Sequence, residues 1–332
     1  MAKFDYKKIC SGLTKNLPQR TTDVIERRFG LRGNDPETLD AIGQSYGRTR
    51  ERIRQIEESA VSKIKENLLS RKDVFNYFEK TLNLLGGARE EREFLEILGG
   101  AKQKNHVFFL LANNRNFKRF SENDNFYSFW FIEEKFSRRV RKLASLVASQ
   151  LKKEKRSFFL PELLKKSGEK NKSVLLSSIG VSKNIKKNPE GKFGLKNWIE
   201  ISPRGVKDRA YLVLRKEEKP LHFKKIAGLI DNLPFPSAGK SHIATVHNEL
   251  IKDERFVLVG RGLYALKEWG YVPGAVKDII YKTLKDSKRP LTKEQVLDKV
   301  LSQRFVKANT VFLNLQNGDC FAKDNKGKYR VA

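Results

Sequence analysis

Cysteine is nearly absent from this chain of 332 residues, with Cys10 and Cys320 standing at opposite ends. Two such residues cannot build a CxxC metal knuckle or a disulfide framework, and both are expected to be buried, reduced thiols. Acidic residues are also few: 39 Asp+Glu face 68 Lys+Arg, so the formal net charge is +29 and a polyanionic partner is implied. No apolar run approaches the roughly 18 to 20 residues that a bilayer span needs, and a stretch such as Val107 to Ala112 is a third of that, which excludes a membrane-spanning chain. The start, Met1 to Tyr6, lacks an apolar core followed by a small-residue cleavage site, so a cytoplasmic, nucleoid-associated protein is expected. His242 and His247 have no companions at zinc spacing, and no metal is expected. His222 is expected to be a hydrogen-bonded structural histidine. Gly260-Arg261-Gly262 reads as a turn, because no phosphate-loop or dinucleotide fingerprint surrounds it. With no nucleophile elbow, HExxH or kinase set, neither an enzyme nor a cofactor is expected.

What the chain does have is an internal repeat. Val206-Lys207-Asp208, Tyr211 and Lys219-Pro220-Leu221 recur 70 residues later as Val276-Lys277-Asp278, Tyr281 and Arg289-Pro290-Leu291. Gly191-Lys192-Phe193-Gly194-Leu195-Lys196-Asn197-Trp198 recurs as Gly262-Leu263-Tyr264-Ala265-Leu266-Lys267-Glu268-Trp269, and faintly as Gly327-Lys328-Tyr329-Arg330-Val331. Three copies of a unit of about 65 to 70 residues follow. Each reads as three helices and a short strand pair, the layout of a winged helix. In the middle copy the helices are expected at 206–215, 223–230 and 242–253, with a hairpin of 256–258 and 263–266. In the last they are expected at 275–285, 292–302 and 308–315, with a wing over 320–331. Upstream, 90–98 and 105–112 look helical, and 117–120 with 126–131 looks like a hairpin. Its aromatic residues suit either a base-stacking platform or a core.

The most informative stretch runs from Leu17 to Lys65. Pro18 suits a first helical turn, Val24, Ile25 and Phe29 form an apolar stripe, and Gly30 supplies a left-handed cap. Thr38 to Gly47 makes a brief helix ending in a glycine turn, and a longer helix begins at Thr49. Two helices joined by a tight turn form a helix-turn-helix. At about 100° per residue, Ile53, Ile56, Ala60 and Ile64 fall on one side and Arg50, Glu51, Arg54, Gln55 and Glu58 on the other. Arg pairs with guanine, Gln with adenine and Glu with cytosine N4, so this face has the chemistry of a base reader in a major groove. Thr49, as N-cap at the positive helix end, suits a phosphate.

The motifs Leu17-Pro18-x-Arg20, Val24-Ile25-Glu26-Arg27-Arg28-Phe29-Gly30-Leu31, Thr38-Leu39-x-x-Ile42-Gly43 and Thr49-Arg50-Glu51-Arg52-Ile53-Arg54-Gln55-Ile56-Glu57 closely resemble the fourth conserved region of bacterial primary sigma factors. The resemblance covers about 50 residues. It implies that Arg50, Glu51 and Gln55 read a promoter −35-type element in double-stranded DNA. It also implies that Arg28, Thr38, Thr49, Arg52 and Arg54 lie at or near the DNA backbone, and that the RNA polymerase beta flap is a partner; Arg54 counts as a base reader by its place on the polar face of the helix. Arg48 and Ser59 depart from the family pattern. Nothing in residues 66–332 resembles the aromatic-rich second sigma region, so a complete sigma factor is not expected. Residues 219–227 and 256–266 resemble the HARE-type winged helix found in the polymerase delta subunit, in restriction systems and in chromatin proteins.

The expectation is therefore a mainly α protein with small β wings, a helix-turn-helix domain followed by tandem winged-helix domains. The segments are 1–68, a sigma-like helix-turn-helix; 69–140, a helical linker with a divergent winged helix; 141–200, a winged helix; 201–270, a HARE-type winged helix; and 271–332, a degenerate winged helix. Its expected role is a DNA-binding transcription factor that regulates or assists initiation. The alternatives are a delta-like polymerase accessory subunit and a general nucleoid or restriction-associated binder.

Overall fold

The computed structural model describes residues 3–236, 239–271, 273–287 and 289–332, which divide into two units, 1–197 and 198–332. The chain is mainly helical, with small antiparallel sheets. None of the described helices is long and apolar enough to cross a membrane.

The first unit opens with α1 (Tyr6–Thr14), a helix whose N-terminus Asp5 caps and which the sequence reading missed. Then follow α2 (Gln19–Phe29), α3 (Leu39–Ser45) and α4 (Arg50–Leu68). Pro18 sits at the N-cap of α2, and Gly30 closes it in the left-handed conformation. The next elements are α5 (Lys72–Leu84), β1 (Ala88–Glu90) and α6 (Glu91–Ala112). The two helices expected at 90–98 and 105–112 are one element bent at Gly100, whose φ of 59° and ψ of −173° interrupt the helical path. Strands β2 (Lys118–Phe120) and β3 (Phe129–Phe131) form the expected hairpin, and β1 adds to its other side in the order β1-β3-β2. Phe129, Trp130 and Phe131 are buried, and Phe120 stacks on Phe129 with ring centres 4.8 Å apart. The aromatic residues are therefore core and not a stacking platform.

Two neighbouring residues of α2 serve different cores. Val24 packs with Ile42 and Ile53 inside the helix-turn-helix. Ile25 joins a larger cluster with Tyr6 and Leu13 of α1, Ile64 and Leu68 of α4, Phe78 of α5 and Phe94 and Phe109 of α6. A helix turns about 100° per residue, so adjacent side chains point about a quarter-turn apart and one helix can serve two neighbouring layers.

The remainder of this unit is α7 (Glu134–Glu154), α8 (Leu160–Ser167), α9 (Lys172–Val181), β4 (Ile185–Lys187) and β5 (Phe193–Leu195). Helix α7 runs through the expected boundary at 140/141, because its residue Val140 shares a core with Ala88, Phe129 and Phe131 upstream and Val181 downstream.

The second unit holds α10 (Gly205–Glu217), β6 (Leu221–His222), α11 (Phe223–Asp231), α12 (Ile243–Lys252), β7 (Phe256–Gly260) and β8 (Leu263–Leu266). It continues with α13 (Val276–Asp286), α14 (Lys293–Leu301), α15 (Ala308–Leu315), β9 (Phe321–Lys323) and β10 (Tyr329–Val331). Each of these lies within two residues of its expected span, the largest differences being the later ends of α10 and β7.

The repeated motifs have structural reasons. Asp208 accepts a hydrogen bond from the Arg204 amide at 2.8 Å, and Asp278 accepts one from the Ala275 amide at 2.9 Å, so each closes the start of the first helix of its copy. Leu221 pairs with Tyr264, Leu291 with Tyr329 and Phe158 with Phe193, so in every copy the segment before the second helix pairs with the second wing strand, as a third strand in the middle copy and as a single bridge in the other two. The glycine before the second wing strand has a positive φ in all three copies, 89° at Gly191, 67° at Gly262 and 77° at Gly327, where any other residue would be strained.

Candidate nucleic-acid interface

The geometry of the site begins with the turn between α3 and α4. The Arg48 amide donates to the Gly43 carbonyl at 2.9 Å, and a Cβ on Gly43 would lie 2.6 Å from the Arg48 carbonyl oxygen. Gly43 is thus the residue that lets the chain fold back closely enough to start a second helix. Thr38 and Thr49 are the N-caps of α3 and α4: their hydroxyl oxygens accept from the Ala41 and Arg52 amides at 3.1 and 3.3 Å. Each hydroxyl keeps its proton for donation to an acceptor such as a phosphate oxygen.

Helix α4 buries Ile53, Ala60, Ile64 and Leu68, with Ile56 partly covered, and this directs Arg50, Glu51, Arg54 and Gln55 outward at its amino end. All four are exposed, Arg50 being 70% accessible with its Nε 3.9 Å from Asp40. Arg54 grips the Glu51 carboxylate with two hydrogen bonds of 2.7 and 2.8 Å and also pairs with Glu58. That grip holds the Glu51 carboxyl below the usual carboxylate range. Gln55 accepts from Arg52 at 3.1 Å. The four side chains thus form one surface on which Arg50 is the least engaged cation.

Arg28 comes from α2. It donates to the Glu37 carbonyl at 3.1 Å and its Nε lies 3.4 Å from Glu57 of α4, so it ties α2 to α4. The neighbouring Arg27 makes a two-pronged pair with Glu37 at 2.8 and 2.6 Å and a further bond to Ser45 at 2.7 Å. Tyr46, the residue after α3, donates to Asp23 at 2.6 Å, and Arg32 pairs with the same carboxylate at 2.7 Å. Burial pulls the Asp23 carboxyl up, but the bonds from Tyr46 and Arg32 and the charges of Arg32 and Arg27 outweigh it and leave it low. Sequence reasoning missed this brace, although a Tyr at the turn and an Asp one helix earlier were its visible signal.

Among the described residues no cluster of His, Cys, Asp and Glu could hold a metal. His222 accepts from the Lys224 amide at 3.3 Å and stacks on Phe223, a structural role. Cys10 is buried, and burial pushes its thiol well up from its ordinary range. Cys320 is only partly buried, against the expectation, since it stands in the turn that leads into β9.

Residues 15–66 match the family described as Sigma-70, region 4. A segment of 54 residues is 43% identical to the RNA polymerase principal sigma factor HrdD of Streptomyces viridifaciens. It makes up 16% of this chain and 16% of that protein.

Proposed function

We propose that this protein is a DNA-binding transcription factor whose α4 reads base edges in the major groove of a −35-type element, and that it regulates or assists initiation. The observation that carries the reading is the outward set Arg50, Glu51, Arg54 and Gln55 at the amino end of a helix held by the Gly43 turn. Base-edge pairing assigns Arg50 to guanine, Gln55 to adenine and Glu51 to cytosine N4, with Arg54 poised between Glu51 and the duplex. Arg28, Thr38, Thr49 and Arg52 would meet the sugar-phosphate backbone, Arg28 also tying α2 to α4. RNA polymerase, through its beta flap, is the partner that the resemblance supplies. The action is binding and not chemistry.

Selection from a random duplex library tests this. The full chain should enrich one motif, and Arg50→Ala should cost about 1 to 3 kcal/mol on that motif and relax one base position. Equal loss on every sequence would reject base reading.

A second reading, a polymerase accessory subunit whose HARE-type modules hold protein, draws on the third helices of the second unit. Helix α15 carries no charged residue and α12 carries one of each sign, while Ile243, Ile251 and Leu313 are exposed on them. Such faces suit a protein surface better than a phosphate backbone.

A further inference from the structure

The positive charge of the chain is not where the base-reading face is. Residues 1–68 hold 14 basic and 10 acidic side chains, whereas residues 134–197 hold 18 basic and 5 acidic ones, a surplus of 13 out of the net +29. In the helix-turn-helix the arginines are also largely compensated, Arg54 by Glu51 and Glu58, Arg27 by Glu37 and Arg32 by Asp23 and Glu26. The attraction that holds a duplex must come mostly from elsewhere.

A winged helix ordinarily offers its third helix to DNA, but α9 is not free to do so. Val174, Leu175, Ser177, Ser178, Ile179 and Val181 are all buried. The Ser177 hydroxyl donates to the Ala88 carbonyl of β1, and the Tyr127 amide donates to the Val181 carbonyl at 2.9 Å. Gly86 lies so close that a Cβ there would be 2.8 Å from the Ser173 carbonyl oxygen. The upstream sheet therefore occupies the face that would enter a groove.

Helix α7 is differently placed. From Lys135 to Lys153 it contains seven Lys and Arg and no acidic residue. It buries Val140, Leu143, Ala144, Val147 and Leu151, which turns Arg138, Lys142, Ser145, Ser149, Lys152 and Lys153 outward. Nearby acids are taken by other cations: Glu133 by Lys135, Glu169 by Arg139, Glu134 by Arg141 and Glu154 by Lys166. That leaves Arg138, Lys142, Lys152 and Lys153 without a salt bridge among the described residues. The two cationic pairs are separated by ten residues from Lys142 to Lys152, about 15 Å along the axis. Their long side chains can reach the two backbones flanking a groove about 12 Å wide, while the serines between them leave room for the duplex. The apolar face of α7 is spent in the core apart from Leu146, which is 41% exposed, and one such side chain is too little to seat the helix in a bilayer.

We propose that the outward face of α7 is the main phosphate-binding surface of the first unit, and that it grips duplex DNA across a groove without reading sequence. The inference rests on the duplex-binding reading above but not on base recognition by α4. The test is binding of the full chain to a duplex lacking the selected motif, measured over a range of salt concentrations. The variant Arg138→Gln/Lys142→Gln/Lys152→Gln/Lys153→Gln should lower the slope of log K against log salt by about 3.6, since each phosphate contact contributes about 0.9. Each half of the variant, Arg138→Gln/Lys142→Gln or Lys152→Gln/Lys153→Gln, should lower it by about half as much, and Lys142→Arg/Lys152→Arg/Lys153→Arg should keep it. A slope that the neutral variants leave unchanged overturns the proposal, as does loss confined to single strands or to anionic vesicles. If the slope falls and selection finds no motif, this proposal stands and base reading by α4 fails.

Discussion

At the scale of the residue, Gly43 shows how magnitudes decide. Alanine favours a helix over glycine by about 1 kcal/mol, so Gly43→Ala would stabilise an unobstructed helix. Here the new methyl meets the Arg48 carbonyl, and overpacking costs about 1 to 3 kcal/mol. Net destabilisation is expected, seen as a lower denaturant midpoint with the slope of the transition unchanged. His106 offers a second case. It is buried in α6 beside Leu31 and Cys10, and burial holds its pKa below the ordinary histidine value. A depressed folded-state value makes its contribution present above about pH 6.5, the unfolded value, and lost as the pH falls below it. Thermal melting should therefore worsen below that pH, and His106→Gln should flatten that dependence. Arg50, Glu51, Arg54 and Gln55 were legible in the sequence because helical spacing alone separates them from Ile53, Ala60 and Ile64. The grip of Arg54 on Glu51 was not, since spacing brings several partners within reach and only side-chain geometry selects among them.

At the scale of the element, the wings and their helices were legible because three copies repeat the same residues at the same offsets. Asp208 and Asp278 turn out to be helix-closing groups, and Tyr264 and Tyr329 strand partners of the Pro-Leu segments. Elements whose existence depends on distant chain were harder to find. Helix α1 buries Tyr6, Cys10 and Leu13 against α4, α5 and α6, and its short span shows little of this by itself. Strand β1 has three residues and is defined by its partner β3, some 40 residues on. The consequence of missing β1 was large, because it is β1 that covers α9 and removes a conventional reading helix from the third module.

At the scale of the whole molecule, composition announced a polyanionic partner but not its place of attachment. That required knowing which cations are paired, and the pairing divides the first unit into a nearly balanced helix-turn-helix and a helix, α7, whose Arg138, Lys142, Lys152 and Lys153 have no salt bridge among the described residues. The two cores that meet at α2 have a further effect, on motion. Backbone amides of α2 can exchange with solvent only when both the Val24 and the Ile25 layers open, whereas α3 is held by Ile42, Leu39, the brace from Tyr46 to Asp23 and the Arg27–Ser45 bond, all on one side. Hydrogen exchange in the free protein should run markedly faster in α3 than in α2, and added duplex should slow α3 most. Equal rates in the two helices would mean that they open together. Faster exchange in α3 would make the short helix before α4 the looser joint of the two, and a bound duplex would be what fastens it.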